Sequence, residues 1–290
     1  MGTDLGELIE PEETSFEQMN DRTIAVDAMN TLYQFLSIIR QRDGTPLKDS
    51  QGRVTSHLSG LFYRTSKLFR KNIRAVYVYD GDVPDLKSKE SSERRKRREK
   101  AREEWKRLKE EGKMKKAFQK ATQSSKLNDE MVEESKRLLE AMGVPYVEAP
   151  SEGEAQAAEM NREGQVWAAG SQDWDSLLFG AERMARNLTI TGKRKVQGKE
   201  EYREVVPETI LAEDVFEDLG IDREKMVWLA VLVGTDYNPG GVEGIGPKRG
   251  LELVREHDSF EGIKEEDRFD WEHDPEPETV IQFFTEPPVE

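Results

Sequence analysis

Three short apolar runs each end on a carboxylate or lead directly to one, and that recurrence constrains the fold more than any other feature of this 290-residue chain. Thr23-Ile-Ala-Val-Asp27 is too short for a helix and closes on an acid. Ala75-Val-Tyr-Val-Tyr79 leads into Asp80, and Gly81 and Pro84 then break the chain direction. Val166 to Ala169 leads to Asp173 and Asp175. Helical periodicities lie between these runs. Leu32, Phe35, Leu36 and Ile39 share one face, the Leu58–Phe69 and Asp129–Met142 stretches are amphipathic, and Met226–Val233 is apolar throughout. Strands alternating with helices predict a single α/β domain with a mostly parallel central sheet flanked by helices. In such a sheet ligands bind at the carboxyl ends of the strands.

A lone acid at a strand end is ordinarily a helix cap or a turn residue. Here the set is larger. Ser151 to Met160 reads as a helix with Ser151 at its cap and Glu154 three residues on, a capping-box pattern, and Glu152 sits beside them. Asp236 follows the apolar 226–233 helix. Acids gathered at one edge repel, and without cations several would have to stay protonated. Two divalent cations roughly 3.5–4 Å apart relieve the repulsion and make a hydrolytic centre for phosphodiesters. The chain has no cysteine, and its three histidines (His57, His257, His273) are scattered. A metal site must therefore be built from carboxylates, which selects a hard cation such as Mg²⁺.

The net charge of −15 argues against a polyanionic partner until its distribution is considered. Between Lys87 and Lys116 there are fifteen Lys and Arg against seven Glu, whereas Glu256 to Glu290 holds thirteen acids against Lys264 and Arg268. Two readings of the acidity stand: an acidic tail on an ordinary protein, or adaptation to a salt-saturated cytoplasm. Acids dot the whole chain and favour the second. The basic run is a solvated helix face or a phosphate-binding device. Lys87 and Arg94 are two helical turns apart and would share one face. Gly244-Ile-Gly246-Pro-Lys248-Arg249 is a tight turn between helices, or a loop that brings amides and two cations to a phosphate. Tyr33, six residues past Asp27, is a core aromatic on spacing alone, or a base-stacking platform. No run of 18 apolar residues and no secretory signal pattern is present, so a cytoplasmic protein with no membrane partner is expected.

Several stretches resemble the archaeal flap endonucleases of the structure-specific 5′ nuclease superfamily. They are Val26-Asp27-Ala28-Met29-Asn30, Tyr79-Asp80-Gly81, Glu148-Ala-Pro-Ser-Glu152-Gly-Glu154-Ala-Gln-Ala, Ser171-Gln-Asp173-Trp-Asp175-Ser-Leu-Leu and Gly234-Thr-Asp236-Tyr-Asn-Pro-Gly-Gly-Val. The likeness runs from Met1 to about Arg255, and the acidity suggests a halophilic member. It implies an N-terminal nuclease region over 1–98, an internal nuclease region over 116–257 and an acidic segment over 258–290. A helical arch and cap would span 88–126, and a helix–two-turn–helix element 237–257.

The resemblance also implies roles. Asp27, Asp80 and Glu152 would hold a first Mg²⁺, and Glu154, Asp173, Asp175 and Asp236 a second, with Mn²⁺ as a substitute. Lys87 and Arg94 would stabilise phosphoryl charge, and Tyr33 would stack on the base beside the cut. Gly2, Arg40, Arg97, Arg98, Gly244, Gly246, Lys248 and Arg249 would contact DNA, with K⁺ at the helix–two-turn–helix element. The implied activity is 5′-flap endonuclease and 5′–3′ exonuclease cleavage of branched DNA, including RNA-primed flaps, in Okazaki fragment processing and base-excision repair. Relatives continue into a sliding-clamp-binding peptide whose spacing Val280-Ile-Gln-Phe-Phe284 lacks, so clamp binding is expected of a longer parent rather than of this stretch. Lys48 to Arg53 lacks the acidic cluster some relatives place at a 3′-flap pocket. A sister exonuclease or bubble-cutting nuclease, a non-catalytic junction-binding protein and a toxin-like ribonuclease on the same core are the rival readings.

Overall fold

A computed structural model describes all residues except 1, 2, 4, 82–87, 124, 190–192, 196–201, 267 and 268; the side chains of 88–98, 115, 123, 193–195, 202 and 203 are also outside the description. The strands are β1 (Glu12–Glu13), β2 (Thr23–Asp27), β3 (Arg74–Tyr79), β4 (Tyr146–Glu148), β5 (Ala168–Gly170), β6 (Arg183–Arg186), β7 (Lys193–Lys195), β8 (Tyr202–Glu204) and β9 (Glu208–Leu211). The first six helices are α1 (Ala28–Ile38), α2 (Ser56–Arg70), α3 (Ser88–Glu110), α4 (Met114–Gln123), α5 (Asp129–Met142) and α6 (Gly153–Arg162). The rest are α7 (Asp175–Leu178), α8 (Ala212–Leu219), α9 (Arg223–Val233), α10 (Pro247–Glu256), α11 (Phe260–Lys264) and α12 (Pro277–Thr285).

Seven strands form one sheet in the order β1-β9-β6-β5-β2-β3-β4. The run β6-β5-β2-β3-β4 is parallel throughout, while β9 pairs antiparallel with both β6 and β1. The mostly parallel α/β sheet expected from the sequence is therefore present, with an antiparallel margin. β7 and β8 pair separately as a small hairpin.

Alternation along the strands feeds a core on each face of the sheet. Ile24, Val26, Tyr77 and Tyr79 join the layer of α1, α2 and α5, while Ala25 and Val78 join the layer of α6, α7, α9, α10 and α12. The two buried tyrosines satisfy their hydroxyls on that first layer: Tyr77 with Thr65 at 2.8 Å and Tyr79 with Ser135 at 2.7 Å. Burial pushes both phenols up to about 12.

The basic segment forms an α3–α4 pair inserted between β3 and α5. Its apolar residues meet each other and the 40–46 turn. Ala101, Leu108, Ala117 and Ala121 are buried. The Trp105 indole donates to the Asp43 carbonyl at 3.2 Å, and Lys109 Nζ pairs with the Asp43 carboxylate at 2.7 Å. That ion pair and two bonds from Thr45 hold the Asp43 carboxyl down at about 2.

Two expectations are corrected. Helix α1 begins at Ala28, four residues before Leu32, because the buried Asp27 side chain caps it by accepting from the Asn30 amide at 3.0 Å. The capping box at Ser151 does not form. Glu152 occupies the N-cap position of α6 with no side-chain cap bond, and the buried Ser151 hydroxyl makes no hydrogen bond. Glu154 is drawn instead to Ser171, among the carboxylates gathered at the sheet edge. Much of the 258–290 segment is packed: Phe260, Ile263, Val280 and Phe284 are buried in the core on the α9 side of the sheet.

Candidate metal centre

The parallel run places the ends of β2, β3 and β5 side by side, and the expected carboxylates follow from that placement. Asp27 ends β2, Asp80 follows β3, Glu152 and Glu154 flank the start of α6 beyond β4, and Asp173 and Asp175 follow β5. Asp236 arrives from the other layer, just past α9. The close approach of β3 to α6 depends on Gly81, where an added Cβ would lie 1.9 Å from the Ala149 carbonyl oxygen. There Gly81 donates its amide to the Ser151 carbonyl at 2.7 Å, and Gly153 donates its own to Asp80 Oδ1 at 2.8 Å. The N-terminus of α6 thus points its amides at the acids, a favourable field for negative charge.

The seven acids act on one another. Asp27, Glu152 and Asp175 are nearly inaccessible, at 6%, 5% and 6% exposure. Burial, then Asp80, Asp173 and Glu152, push the Asp27 carboxyl well above the usual carboxylate range. Burial followed by Asp27, Asp175 and Asp173 does the same to Glu154. Asp173 is raised to about 6 by burial, Asp175 and Asp236. Between them, these three carboxyls feel the charge of all the other acids in the set. Among the described residues, no group of three or more acidic or histidine side chains is closed around a ready-made metal position. A donor set of hard carboxylate oxygens, in which burial and neighbouring acids raise Asp27, Glu154 and Asp173, fits divalent cations of the Mg²⁺ kind and no soft metal.

A layer of neutral donors holds these acids, and most of it escaped the sequence reading. Asn30 Nδ2 donates to Asp173 Oδ2 at 2.7 Å, and Gln34 in turn donates to Asn30 Oδ1 at 2.9 Å. Ser171 and Ser176 donate to Glu154 Oε1. The Thr3 amide donates to Asp175 Oδ1 at 3.0 Å, which fastens the start of the chain to the site. The Tyr237 hydroxyl donates to Glu152 Oε1 at 2.7 Å. Burial and the charge of Glu152 push that phenol far above its usual range, so it serves only as a donor. The signal available in the sequence was adjacency, since Asn30, Ser171, Ser176 and Tyr237 all lie within three residues of a predicted acid.

The remaining predicted residues fall elsewhere. Tyr33 is half-buried on α1, five residues after Ala28 begins the helix. The Arg40 guanidinium donates to the Ser37 and Gly44 carbonyls and to Ser125 Oγ, tying the end of α1 to the chain just after α4. Gly244, Gly246, Lys248 and Arg249 are exposed on the loop and first turn joining α9 to α10. Gly246 sits at the α10 N-cap with Pro247 at the first helical position, and Arg249 pairs with Glu252 at 3.0 Å. Gly241 lets this loop fold back on α9: its φ is +62°, and a Cβ there would meet the Leu232 carbonyl oxygen at 2.3 Å. Arg94, Arg97 and Arg98 lie on α3, but their side chains are outside the described residues, as are Gly2 and Lys87 entirely.

A parallel sheet whose edge carries a coupled set of buried acids, with a basic helical insertion after β3 and a glycine-rich turn between α9 and α10, defines a nuclease of the XPG type. The XPG N-terminal domain matches residues 3–101, and the XPG I-region matches residues 143–236. The chain is 52% identical over 289 residues to flap endonuclease 1 of Pyrococcus furiosus, covering all of this chain and 84% of that one. It is 51% identical over 290 residues to flap endonuclease 1 of Methanopyrus kandleri, covering 99% and 82%. Among solved structures, flap endonuclease-1 from Methanococcus jannaschii superposes with a TM-score of 0.74 at 40% identity, over 100% of this chain and 86% of that one. The catalytic core of Rad2 in complex with DNA substrate gives a TM-score of 0.66 at 27% identity, over 98% and 85%. The chain belongs to the flap endonuclease 1 family. No helix among the described residues is long and apolar enough to cross a membrane.

Proposed function

We propose that this protein hydrolyses phosphodiesters where a 5′ flap leaves branched DNA, with 5′–3′ exonuclease action on related ends. It would remove RNA-primed flaps during lagging-strand synthesis and act in base-excision repair, in the cytoplasm of an archaeon. The observation that carries this reading is the gathering of mutually repelling acids at one sheet edge, in a chain half-identical to flap endonucleases.

Asp27, Asp80 and Glu152 hold one Mg²⁺, and Glu154, Asp173, Asp175 and Asp236 hold a second, with Mn²⁺ as a substitute. When bound, the two cations activate water and neutralise the charge that builds on the attacking and leaving oxygens. The chain's own residues do the rest. Lys87 and Arg94 draw the scissile phosphate towards the acids and are most effective as charge develops on it. Tyr33 stacks on the base beside the cut. Arg97 and Arg98 line the path of the 5′ strand through the α3–α4 arch, and Gly2 and Arg40 lie close to the DNA. The Gly244–Arg249 turn would grip duplex phosphate, and K⁺ could bind at this element. The same chain would work in concentrated KCl, consistent with a net charge of −15, with shape, stacking and metal supplying much of the affinity that salt takes from phosphate contacts. A sliding clamp would be met by a longer parent, because Val280–Phe284 lies within the packed helix α12.

The test is a cleavage assay with Mg²⁺ titrated at molar KCl on double-flap, bubble and nicked-duplex DNA. The reading requires Mg²⁺-dependent cutting with the double flap fastest. Preference for the bubble would place the protein with the sister nucleases, and binding without cutting would make it a junction-binding scaffold.

A further inference from the structure

We propose that Tyr237 is a positioning residue for Glu152, and that the C-terminal helix α12 acts on the metal centre through it. This rests on the reading of Glu152 as a cation ligand. Three observations meet at this point. The Tyr237 hydroxyl donates to Glu152 Oε1 at 2.7 Å, inside the range of a charge-assisted bond. The tyrosine is only 4% exposed, and its ring is wedged by α12, with Phe283 at 4.6 Å and Phe284 at 5.6 Å between centroids. Phe284 in turn lies 4.9 Å from Phe179, and its carbonyl accepts from Arg223 at 2.8 Å, which fixes the wedge to the α7 and α9 layer.

The same segment grips α6 a second time. The Glu290 amide donates to Gln156 Oε1 at 2.8 Å, and Gln156 Nε2 donates back to the Glu290 carbonyl. Gln156 stands one turn beyond Glu152, on the helix whose first amide holds Asp80. The C-terminal segment therefore reaches the first group of acids by two routes, one through a side chain and one through a helix.

The physical consequence is specific. An ionised carboxylate has about four acceptor positions, so a phenol on one of them leaves capacity for a cation. A glutamate beside repelling acids, by contrast, prefers rotamers that swing it away. A donor fixed in the core cancels that preference before the cation arrives. Hydrogen-bonding partners of ligating carboxylates typically govern metal affinity by about 10–100-fold. Phe283 contributes indirectly, by keeping the ring from tilting.

The experiment uses the full chain and Tyr237→Phe, which keeps the ring and its packing and removes only the donor. Mn²⁺ binding is measured by calorimetry without DNA, alongside flap cleavage as a function of Mg²⁺ concentration. The expected result is weaker Mn²⁺ binding and a higher Mg²⁺ requirement, each by about 10–100-fold, with kcat at saturating Mg²⁺ restored to within a few-fold. Phe283→Leu should move both readings the same way by less, and should add nothing in the Tyr237→Phe background. Unchanged Mn²⁺ affinity in Tyr237→Phe, while Glu152→Gln loses binding, overturns the positioning role alone. Unchanged affinity in Glu152→Gln overturns the ligand assignment on which it rests. A lowered Tm with unaltered cation affinity would make Tyr237 a packing residue only and would also refute the proposal.

Discussion

Replacing Asp173 by Asn should stabilise the metal-free protein. Asp173 is held at about 6, against an ordinary value of 3.8, by burial and by the neighbouring acids Asp175 and Asp236. A folded carboxyl raised in this way binds more protons than the unfolded one between pH 4 and 6, so its contribution to stability falls as pH rises through that window and is fully unfavourable at neutrality. Two units at 1.36 kcal/mol each set an upper bound of about 3 kcal/mol on the cost at pH 7.5. Neighbours relax once one charge is removed, so about 1–3 kcal/mol is the working figure. For a chain of this size that corresponds to a Tm increase of roughly 2–5 °C. Asn retains an acceptor for Asn30 Nδ2, so the change removes charge with little loss of hydrogen bonding. The assay is thermal unfolding of both proteins in EDTA at pH 7.5 and at pH 5, then with excess Mg²⁺. The advantage of the variant should shrink to about half at pH 5, where the parent carboxyl is already protonated when folded. It should vanish or reverse when the cation is present, since the parent then gains a ligand the variant lacks. A variant that melts at or below the parent in EDTA at pH 7.5 would refute the claim that these acids destabilise one another.

Two further outcomes are expected. Arg94→Ala should slow flap cleavage by about 10²–10³-fold in kcat with near-parental flap affinity in a binding titration, because its contact strengthens as charge develops; a loss confined to affinity would make it a tether. Phe284→Ala, at a fully buried site touching Phe179 and Tyr237, should cost about 3–5 kcal/mol in urea unfolding, whereas a solvated C-terminal segment would cost almost nothing.

The architecture was legible where hydrophobic pattern and chain position agreed. The β2 and α5 boundaries coincide with the sequence reading, because a short run closing on Asp27 and an amphipathic stretch between Asn128 and Gly143 carry both period and punctuation. The margin of the sheet was not legible. Strand β6 is Arg-Met-Ala-Arg, whose two arginines hide against indoles, Arg183 over Trp167 at 4.7 Å and Arg186 over Trp174 at 4.2 Å. Hydropathy scores such a strand as polar, although its Met184 and Ala185 are buried. Glu154 shows the opposite failure. Local pattern favoured a cap, but the bond to Ser171 links residues seventeen apart, a relation no local window contains. Asp27, Asp80, Asp173 and Asp175 could be picked out from strand-end position; the donors that hold them depend on which helices fold back over that edge. The acidity of residues 258–290 likewise concealed Val280 and Phe284, which are spaced as a helix face and pack as one.

The α3–α4 pair enters after β3 and returns through α5 to β4, and β3 and β4 are themselves hydrogen-bonded neighbours, with Tyr77 opposite Tyr146 and Tyr79 opposite Glu148. The sheet is therefore complete without the insertion, much as a doorway stands without its door. On the proposed threading of the 5′ strand, lengthening, shortening or exchanging that excursion would alter which polymer ends gain admission and how far they travel, while the acidic edge keeps its spacing. A graft made between Arg98 and Asn128 would leave Asp80, Lys87 and Arg94 in place, and it should be the shortest route to a changed junction preference on an unaltered acidic edge.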